Sequence, residues 1–185
     1  MTASLKAPTE AAVDAGAIDL RRVPPHLFAC RVYYEDTDAA GIVYYANYLR
    51  FAERARTEML RAGGLDHVKL YADTGITLAV RRCVADYLAP ARLDDLLSIE
   101  SRITALRGAT LELTQVVRRA DASGDADLVR LTVTLVALLA SGKPTRIPAR
   151  LRDLLAAHAA PEIHSQDAPD QRHQGQRHQG LEHHG

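Results

Sequence analysis

The chain has 185 residues, a formal net charge of zero at pH 7 and hydrophobic residues at 47% of its positions. This length and composition predict one soluble domain with a sizeable core, and the balanced charge argues against a nucleic-acid binder, which usually has a basic face. Two cysteines imply no disulfide framework, and no apolar run reaches the roughly 18 residues of a membrane span, so we expect a cytoplasmic protein.

Both ends of the sequence differ in composition from its middle. Residues 1–24 are rich in Ala and small polar residues and lack the basic and apolar regions of a secretory signal, so we expect a flexible leader. Residues 161–185 contain QRHQG twice, followed by LEHHG, a polar and repetitive composition typical of a disordered tail. The folded domain is therefore predicted over 25–160.

The folded region opens with LFACRVYYE, whose β-branched and aromatic residues predict a strand. A turn-rich stretch, DTDAAG, comes next. YANYLRFAERARTEMLRAGG then has apolar residues at three- and four-residue spacing, which predicts a long helix. Asn47 is its expected N-cap, and Gly63 and Gly64 are its expected stop. The charged residues of the helix are expected on a solvated face: Glu53, Arg54, Arg56 and Glu58.

Four strand-like runs follow the helix. They span 76–89, 96–106, 109–119 and 127–140, with turn residues between them at 107–108 and 123–125. A short terminal helix is predicted over 148–160. One strand, one long helix and four consecutive strands predict an α+β fold in which the helix covers one face of an antiparallel sheet. The absence of alternating βα units argues against a doubly wound dinucleotide-binding fold.

The residues suited to chemistry lie between the first strand and the long helix. The sequence lacks the motifs of serine hydrolases, zinc peptidases, P-loop proteins and dinucleotide-binding enzymes, and its scattered histidines and cysteines predict no metal site. Asp36 and Asp38 flank Thr37 before the helix start, where backbone N–H groups can hold the oxyanion of a carbonyl under attack. A carboxylate there suits a thioester, whose thiolate leaves readily. The same acids also suit turns and caps.

The segment RVYYEDTDAAGIVYYANYLRFAERARTEMLRAG resembles the 4-hydroxybenzoyl-CoA thioesterase family of hot-dog-fold enzymes. The nearest branch is the acyl-CoA thioesterase encoded with the bacterial Tol–Pal cell-envelope system, and the likeness continues through RRCVADYLAPARLDDLLSIESRI and SGKPTRIP. The resemblance implies a hot-dog fold, with a five-stranded antiparallel sheet wrapped around one central helix. It implies acyl-CoA hydrolysis without a cofactor. It also implies a homodimer joined edge to edge at the active site, or a homotetramer made as a dimer of dimers.

The resemblance assigns roles by position. The catalytic carboxylate falls on Asp38, which either activates water or attacks directly to give a mixed anhydride. The N–H that polarises the thioester carbonyl falls on Tyr45; many members of the nearest branch have His there, so the backbone role is the one that carries over. Of the family's basic tripeptide for coenzyme A phosphates Arg107 remains, and turn chemistry adds Lys143 and Arg146. Three residues are candidates for lining the substrate pocket, although core packing is the expected role of each: Tyr44, Tyr48 and Met59.

Two alternatives stay open at the level of sequence. Asp36-Thr37-Asp38 after a strand also resembles the D-x-D of magnesium-dependent phosphatases, although those enzymes need alternating β/α units. The other alternative is a non-catalytic acyl-binding or interaction module that works with acyl-carrier protein or with the Tol–Pal system. Spacing in the sequence does not fix the length of the acyl group.

Overall fold

The computed structural model describes residues 24–120 and 126–157. It contains a five-stranded antiparallel sheet, in the order β1-β3-β4-β5-β2, with one long helix against it. This α+β arrangement confirms the fold predicted from the sequence. The leader up to residue 23, the turn at 123–125 and the tail at 161–185 lie outside the described residues. The strands are β1 (His26–Arg31), β2 (Ile76–Tyr87), β3 (Leu96–Arg107), β4 (Thr110–Arg119) and β5 (Asp127–Leu139), and the helices are α1 (Tyr45–Ala62), α2 (His67–Thr74) and α3 (Ala149–Ala157).

The register of the strands gives the sheet two distinct ends. At one end, Arg31 pairs with Leu96, and β2 finishes at Tyr87; we call this the Tyr87 end. At the other, β3 turns into β4 through Arg107, and β2 begins; we call this the Arg107 end. Gly108 makes the turn with a φ of +56°, a left-handed conformation that glycine adopts without steric cost. The predicted turn at 107–108 is confirmed.

The core lies between α1 and three strands of the sheet. α1 packs against β1, β3 and β4, whereas the start of β2 is covered by the short helix α2. Phe51, Ala52 and Ala55 of α1 are fully buried, as are Ile99 and Leu113 on the sheet. Burying a large apolar side chain of this kind contributes about 1.5–3 kcal/mol each. Met59 is also buried, so the expectation that it packs in the core is confirmed.

The prediction that Asn47 caps the long helix is wrong. The N-cap is Tyr44, three residues before Asn47, and the helix begins at Tyr45. Asn47 is buried inside the first turn, where its side-chain Nδ2 donates a hydrogen bond to the backbone oxygen of Asp36 at 2.9 Å. The Asn side chain therefore fastens the helix to the preceding turn instead of capping its own N–H groups.

The prediction of a fully solvated charged face is wrong for Arg56. Its side chain is half-buried, and its Nη1 donates to Oε1 of Gln115 on β4 at 2.7 Å. Glu58 behaves more nearly as expected, because it forms an ion pair at 2.6 Å with Arg61 and both side chains remain largely exposed. An exposed pair of this kind contributes little to stability.

Helix α2 was not predicted. Its N-cap is Asp66, whose carboxylate accepts hydrogen bonds from the N–H groups of Val68 and Lys69, and its C-cap is Gly75 in a left-handed conformation. These two hydrogen bonds hold the pKa of Asp66 below its usual range. None of the described helices is long and apolar enough to cross a membrane.

Candidate active site

The first of the two aspartates, Asp36, is a buried structural residue. It closes a single 3-10 turn, Tyr34–Asp36, and is only 5% exposed. Its Oδ2 accepts a hydrogen bond from the Tyr33 N–H at 2.9 Å, and its backbone oxygen accepts one from the Tyr44 N–H at 2.9 Å. Asp36 therefore connects the end of the first strand to the beginning of α1, and its carboxylate points away from solvent.

The second aspartate, Asp38, lies on an exposed loop. The Asp38 N–H donates to the Ile42 oxygen at 2.9 Å, and a β-bridge between Thr37 and Val43 closes the loop. Oδ1 of Asp38 accepts a hydrogen bond from the Ala40 N–H at 2.8 Å, which fixes the side chain. Among the residues that the structure describes, no donor bonds Oδ2. One carboxylate oxygen thus positions the side chain, and the other is available for chemistry.

The N-terminus of α1 supplies an open backbone donor. Tyr45 is the first helical residue, and the first N–H groups of a helix have no partner within it. No side chain caps this end, and within the described part of the chain no acceptor bonds the Tyr45 N–H. The helix dipole adds positive potential at the same point. The Tyr45 N–H can therefore donate to a ligand oxygen.

A cavity of about 460 Å³ opens between the Asp38 loop, the start of α1 and the end of β2. Asp38 and Tyr45 both line it, so the structure brings the two predicted catalytic residues to one cavity. The remaining lining residues are mostly apolar or aromatic: Ile42, Val43, Tyr44, Tyr48, Tyr87, Leu88, Ala89 and Pro90. Apolar walls with a few polar groups are typical of small-molecule sites.

Four tyrosines form an aromatic wall of this cavity. The rings of Tyr45 and Tyr48 both meet the Tyr87 ring edge to face, with centroids 6.3 and 5.9 Å away. The Tyr87 hydroxyl donates to the backbone oxygen of Tyr45 at 3.2 Å. The Tyr48 hydroxyl accepts from the Ala91 N–H at 2.8 Å, and burial raises the pKa of Tyr48. Tyr48 thus packs in the core as expected and also lines the cavity.

Two tyrosines differ from the sequence-based expectation. Tyr44 is 43% exposed and lines the cavity, so its expected role in core packing is wrong. Tyr87 was not singled out, although it is the last residue of β2 and contacts the start of α1. The sequence signal for Tyr87 was an aromatic residue at a strand end, directly before the turn sequence LAP. That turn lies in one of the segments that carry the family resemblance.

The predicted phosphate-binding residues lie at the Arg107 end, far from Asp38. The Ile147 N–H donates to the Gly108 oxygen at 2.9 Å, which holds the segment with Lys143 and Arg146 beside the Arg107 turn. β2, which connects the two ends, has 12 residues and spans about 35–40 Å at roughly 3.3 Å per residue. The structure therefore groups the three basic residues together but does not bring them to Asp38 within one chain.

Other nucleophiles and ligand clusters were also considered. Burial raises the pKa of the Cys30 thiol to about 11, so Cys30 is a poor nucleophile at neutral pH. Across the described ranges, 24–120 and 126–157, no group of three or more His, Cys, Asp or Glu residues is arranged to hold a metal ion. Asp38 and Tyr45 therefore stay the candidates, since both line the cavity and each has a hydrogen-bonding atom without a partner among the described residues.

Comparisons with known proteins identify the family of the chain. The family model described as "Thioesterase superfamily" matches residues 40–124. The acyl-CoA thioester hydrolase YbgC of Escherichia coli O6:H1 is 50% identical over 91 residues, which cover 49% of this chain and 67% of that protein. A probable thioesterase from Bartonella henselae is 36% identical, with a TM-score of 0.62 over 67% of this chain and 99% of that one. The 4-hydroxybenzoyl-CoA thioesterase from Pseudomonas sp. strain CBS-3 is 26% identical, with a TM-score of 0.66 over 71% of this chain and 99% of that one. The chain belongs to the thioesterase superfamily and is a thioester hydrolase with the hot-dog fold.

Proposed function

We propose that this acyl-CoA thioesterase cleaves its substrate in the cavity between Asp38 and the start of α1. Asp38 is the catalytic carboxylate, and the Tyr45 backbone N–H polarises the thioester carbonyl. The observation that carries the proposal is that each residue has a free hydrogen-bonding atom and that both line one cavity. Hydrolysis of acyl-CoA to a free acid and coenzyme A is also the activity named for the YbgC relative.

In the proposed reaction the Tyr45 N–H stabilises the negative charge on the carbonyl oxygen, and the Asp38 carboxylate promotes attack on the carbonyl carbon. The carbonyl oxygen gains negative charge as the carbon is attacked, and a positioned N–H donor at that point is worth about 10²–10³ in rate. Asp38 either takes a proton from the attacking water or attacks the carbonyl carbon itself, forming an anhydride that water then opens. Both routes release coenzyme A as the thiolate, and both need an unbonded carboxylate oxygen, which Oδ2 of Asp38 provides.

The contrast between the two aspartates supports the choice of Asp38. Oδ2 of Asp36 is already bonded to the Tyr33 N–H, and its side chain is buried outside the cavity. Glu35 is exposed but does not line the cavity. Asp38 is therefore the only acid of the Glu35–Asp38 segment that can meet a substrate there.

We also propose that the enzyme is a dimer joined through β2. β2 is a 12-residue edge strand whose side chains are mostly exposed, with Val80 at 53% and Val84 at 37%. A long apolar edge of this kind is normally paired or covered. Antiparallel pairing of β2 with its own copy places the Arg107 end of one chain beside the Tyr87 end of the other. The basic residues Arg107, Lys143 and Arg146 of the second copy then approach the cavity, where they can bind coenzyme A phosphates.

Introducing a charge on β2 tests this dimer. Val84→Asp should convert the dimer to monomers and lower kcat/KM at least about tenfold, because a carboxylate on the paired edge would face its own copy and lose solvation. Sedimentation velocity and steady-state kinetics measure the two effects. Leu27→Asp is the matched control, since Leu27 is 63% exposed on the opposite edge strand, β1. A Val84→Asp variant that stays dimeric and active would contradict the proposed interface.

A metal-independent reaction is a further expectation. A carboxylate and a backbone N–H need no Lewis acid to polarise a thioester. Excess EDTA should therefore leave kcat unchanged, and added Mg²⁺ should not raise it. Loss of activity in EDTA that Mg²⁺ restores would instead favour the magnesium-dependent chemistry suggested by the D-x-D pattern.

We propose the cytoplasm as the compartment in which the enzyme works. Cys30 and Cys83 are both free thiols in the structure. Free thiols persist in the reducing cytosol and are commonly oxidised outside it. The proposed acyl-CoA chemistry agrees with that location.

A thiol-release assay against a panel of acyl-CoAs tests the proposed function directly. The expected result is release of free coenzyme A for at least one acyl group. Binding of acyl-CoA without any release would favour the non-catalytic module that works with acyl-carrier protein or the Tol–Pal system. The similarity to the YbgC thioester hydrolase does not favour that module.

A further inference from the structure

The N–H donor proposed at Tyr45 belongs to the peptide that joins Tyr44 to Tyr45. This peptide lies at the first residue of α1, where no side chain caps the helix and the Tyr45 side chain is 59% exposed. Helix ends fray, whereas a catalytic group must be held within about 0.5 Å of its productive position. Other contacts must therefore hold the Tyr44–Tyr45 peptide in place.

Asn47 bonds this peptide through its main chain. The Asn47 N–H donates a hydrogen bond to the Tyr44 oxygen at 2.8 Å. The Tyr44 oxygen and the Tyr45 N–H belong to one planar peptide, so this hydrogen bond fixes the direction in which the Tyr45 N–H points. It also polarises the peptide, because successive hydrogen bonds strengthen one another. The main chain of Asn47 therefore supports the proposed oxyanion donor.

Asn47 also bonds the preceding turn, through its side chain. Its Nδ2 donates to the Asp36 backbone oxygen at 2.9 Å, and the Tyr44 N–H donates to the same oxygen at 2.9 Å. Tyr44 is thus held on both sides, with its N–H bonded to Asp36 and its oxygen bonded to Asn47. Because the acceptor is a main-chain atom, this contact does not depend on the Asp36 carboxylate.

The same turn leads directly to the catalytic carboxylate. Asp38 follows Asp36 by two residues, in a loop that the β-bridge between Thr37 and Val43 closes. The Asp36 oxygen lies where this loop meets the start of α1. Asn47 therefore connects the loop that carries the carboxylate to the helix that carries the N–H donor.

Burial makes the Asn47 contact hard to replace. The Asn47 side chain is 7% exposed, so water does not readily substitute for its hydrogen bond. Asn47 does not line the cavity, and it is therefore not placed to touch the substrate. The Tyr87 hydroxyl also contacts the helix start, at 3.2 Å from the Tyr45 oxygen, but that contact is exposed and involves the next peptide. Asn47 is the side chain that holds the donor peptide from the protein interior.

We propose that Asn47 is a positioning residue of the thioesterase site, which holds the Tyr44–Tyr45 peptide in the place relative to Asp38 that the transition state requires. This inference rests on the proposed roles of Asp38 and the Tyr45 N–H. Asn47 acts through the donor peptide and not on the substrate itself. Loss of its side-chain donor should therefore weaken transition-state stabilisation and leave binding of the acyl-CoA ground state nearly unchanged.

Steady-state kinetics of Asn47→Leu test this role. Leucine keeps the volume of the side chain and removes the donor. The kcat should fall between about tenfold and 10²-fold, since a displacement of about 1 Å at an active site can cost 10²-fold in rate. The KM should stay within about threefold of that of the unmodified enzyme, because ground-state binding is preserved. Thiol release is measured well below the unfolding temperature of each variant.

Gln115→Leu is the matched control. Gln115 is a second buried amide that bonds α1: its Nε2 donates to the Ala52 oxygen at 2.9 Å, and its Oε1 accepts from Arg56 at 2.7 Å. These contacts lie about two to three helical turns from the N–H donor. The control should lower the unfolding temperature, as Asn47→Leu should, and leave kcat unchanged. A loss of kcat shared by both variants would show a general weakening of α1 and would overturn the proposal.

Infrared spectroscopy of a bound thioester tests the position of the donor itself. In Asp38→Asn, where turnover is slow, the Tyr45 N–H should polarise the carbonyl of bound acyl-CoA and lower its stretching frequency. A carbon-13 label at the carbonyl identifies the band. Adding Asn47→Leu to Asp38→Asn should return the frequency toward that of free acyl-CoA, whereas adding Gln115→Leu should not. Packing alone would not produce this difference.

The possible failures are distinct. Normal kcat in folded Asn47→Leu, or an unchanged carbonyl frequency, would overturn the positioning role and leave the proposed function intact. Absence of thiol release by the unmodified enzyme with every acyl-CoA would overturn the proposed function itself. If Asn47→Leu does not fold, Asn47→Ala also lacks the donor and gives the same test. Failure of both variants to fold would assign Asn47 to folding alone and would also overturn the proposal.

Discussion

Asp38→Asn should lower kcat about 10³-fold and leave the fold and the affinity for acyl-CoA nearly unchanged. An amide cannot take a proton from water or attack a carbonyl carbon. Its oxygen can still accept the hydrogen bond from the Ala40 N–H that holds the Asp38 side chain, at 2.8 Å in the native loop. Thiol release measures kcat, calorimetric titration with acyl-CoA measures the Kd, and thermal unfolding measures the fold.

Glu35→Gln is the matched control for this substitution. Glu35 is an exposed acid three residues earlier in the same segment, and it does not line the cavity. Removing its charge should leave kcat unchanged. Near-normal hydrolysis by Asp38→Asn, or an equal loss of activity in Glu35→Gln, would contradict the role assigned to Asp38.

Asp36→Ala should have the opposite effect: a loss of stability of about 2 kcal/mol with catalysis largely retained in the folded protein. Asp36 is 5% exposed, and its Oδ2 accepts the hydrogen bond from the Tyr33 N–H at 2.9 Å. Truncation leaves this N–H without its acceptor and leaves a small void at the start of α1. Urea unfolding measures the free energy of unfolding, and kcat is measured well below the transition.

The stability and the activity of the variants together distinguish the roles of the two aspartates. Asp36→Asn retains an oxygen at the same place, so its loss of stability should be smaller than that of Asp36→Ala. Full stability with abolished hydrolysis in Asp36→Ala would make Asp36 the catalytic residue instead. The two substitutions together therefore distinguish the acid that builds the turn from the acid that performs the reaction.

Much of the fold follows from local patterns. The four predicted strands after α1 match β2 to β5 within two residues at each end, because apolar alternation and turn residues mark them clearly. The stop of α1 was marked by Gly63, which is its C-cap. The N-cap was misassigned because Asn47 fits a statistical preference for that position. Its true role depends on the Asp36 oxygen, a contact that no local pattern shows.

The long-range arrangement of the site was less accessible from the sequence. Arg56 has the charged neighbours of a solvated helix face, and its contact with Gln115 joins positions 59 residues apart. The available signal in the sequence was Gln115, a polar residue within the apolar alternation of Leu111, Leu113 and Val117. The separation of Arg107 from Asp38 can be predicted only when the register of the strands is known. By contrast, the local sequence around Asp38 and Tyr45 already placed both at the junction of loop and helix.

The most direct test of the account is the initial rate of coenzyme A release by the unmodified enzyme and by Asp38→Asn, measured side by side at saturating acyl-CoA. The account predicts steady thiol release by the unmodified enzyme and a rate about 10³-fold lower for the variant. It also predicts that the variant still binds the substrate and unfolds at nearly the same temperature. No release by the folded, dimeric enzyme, or equal rates for the two proteins, would contradict the account.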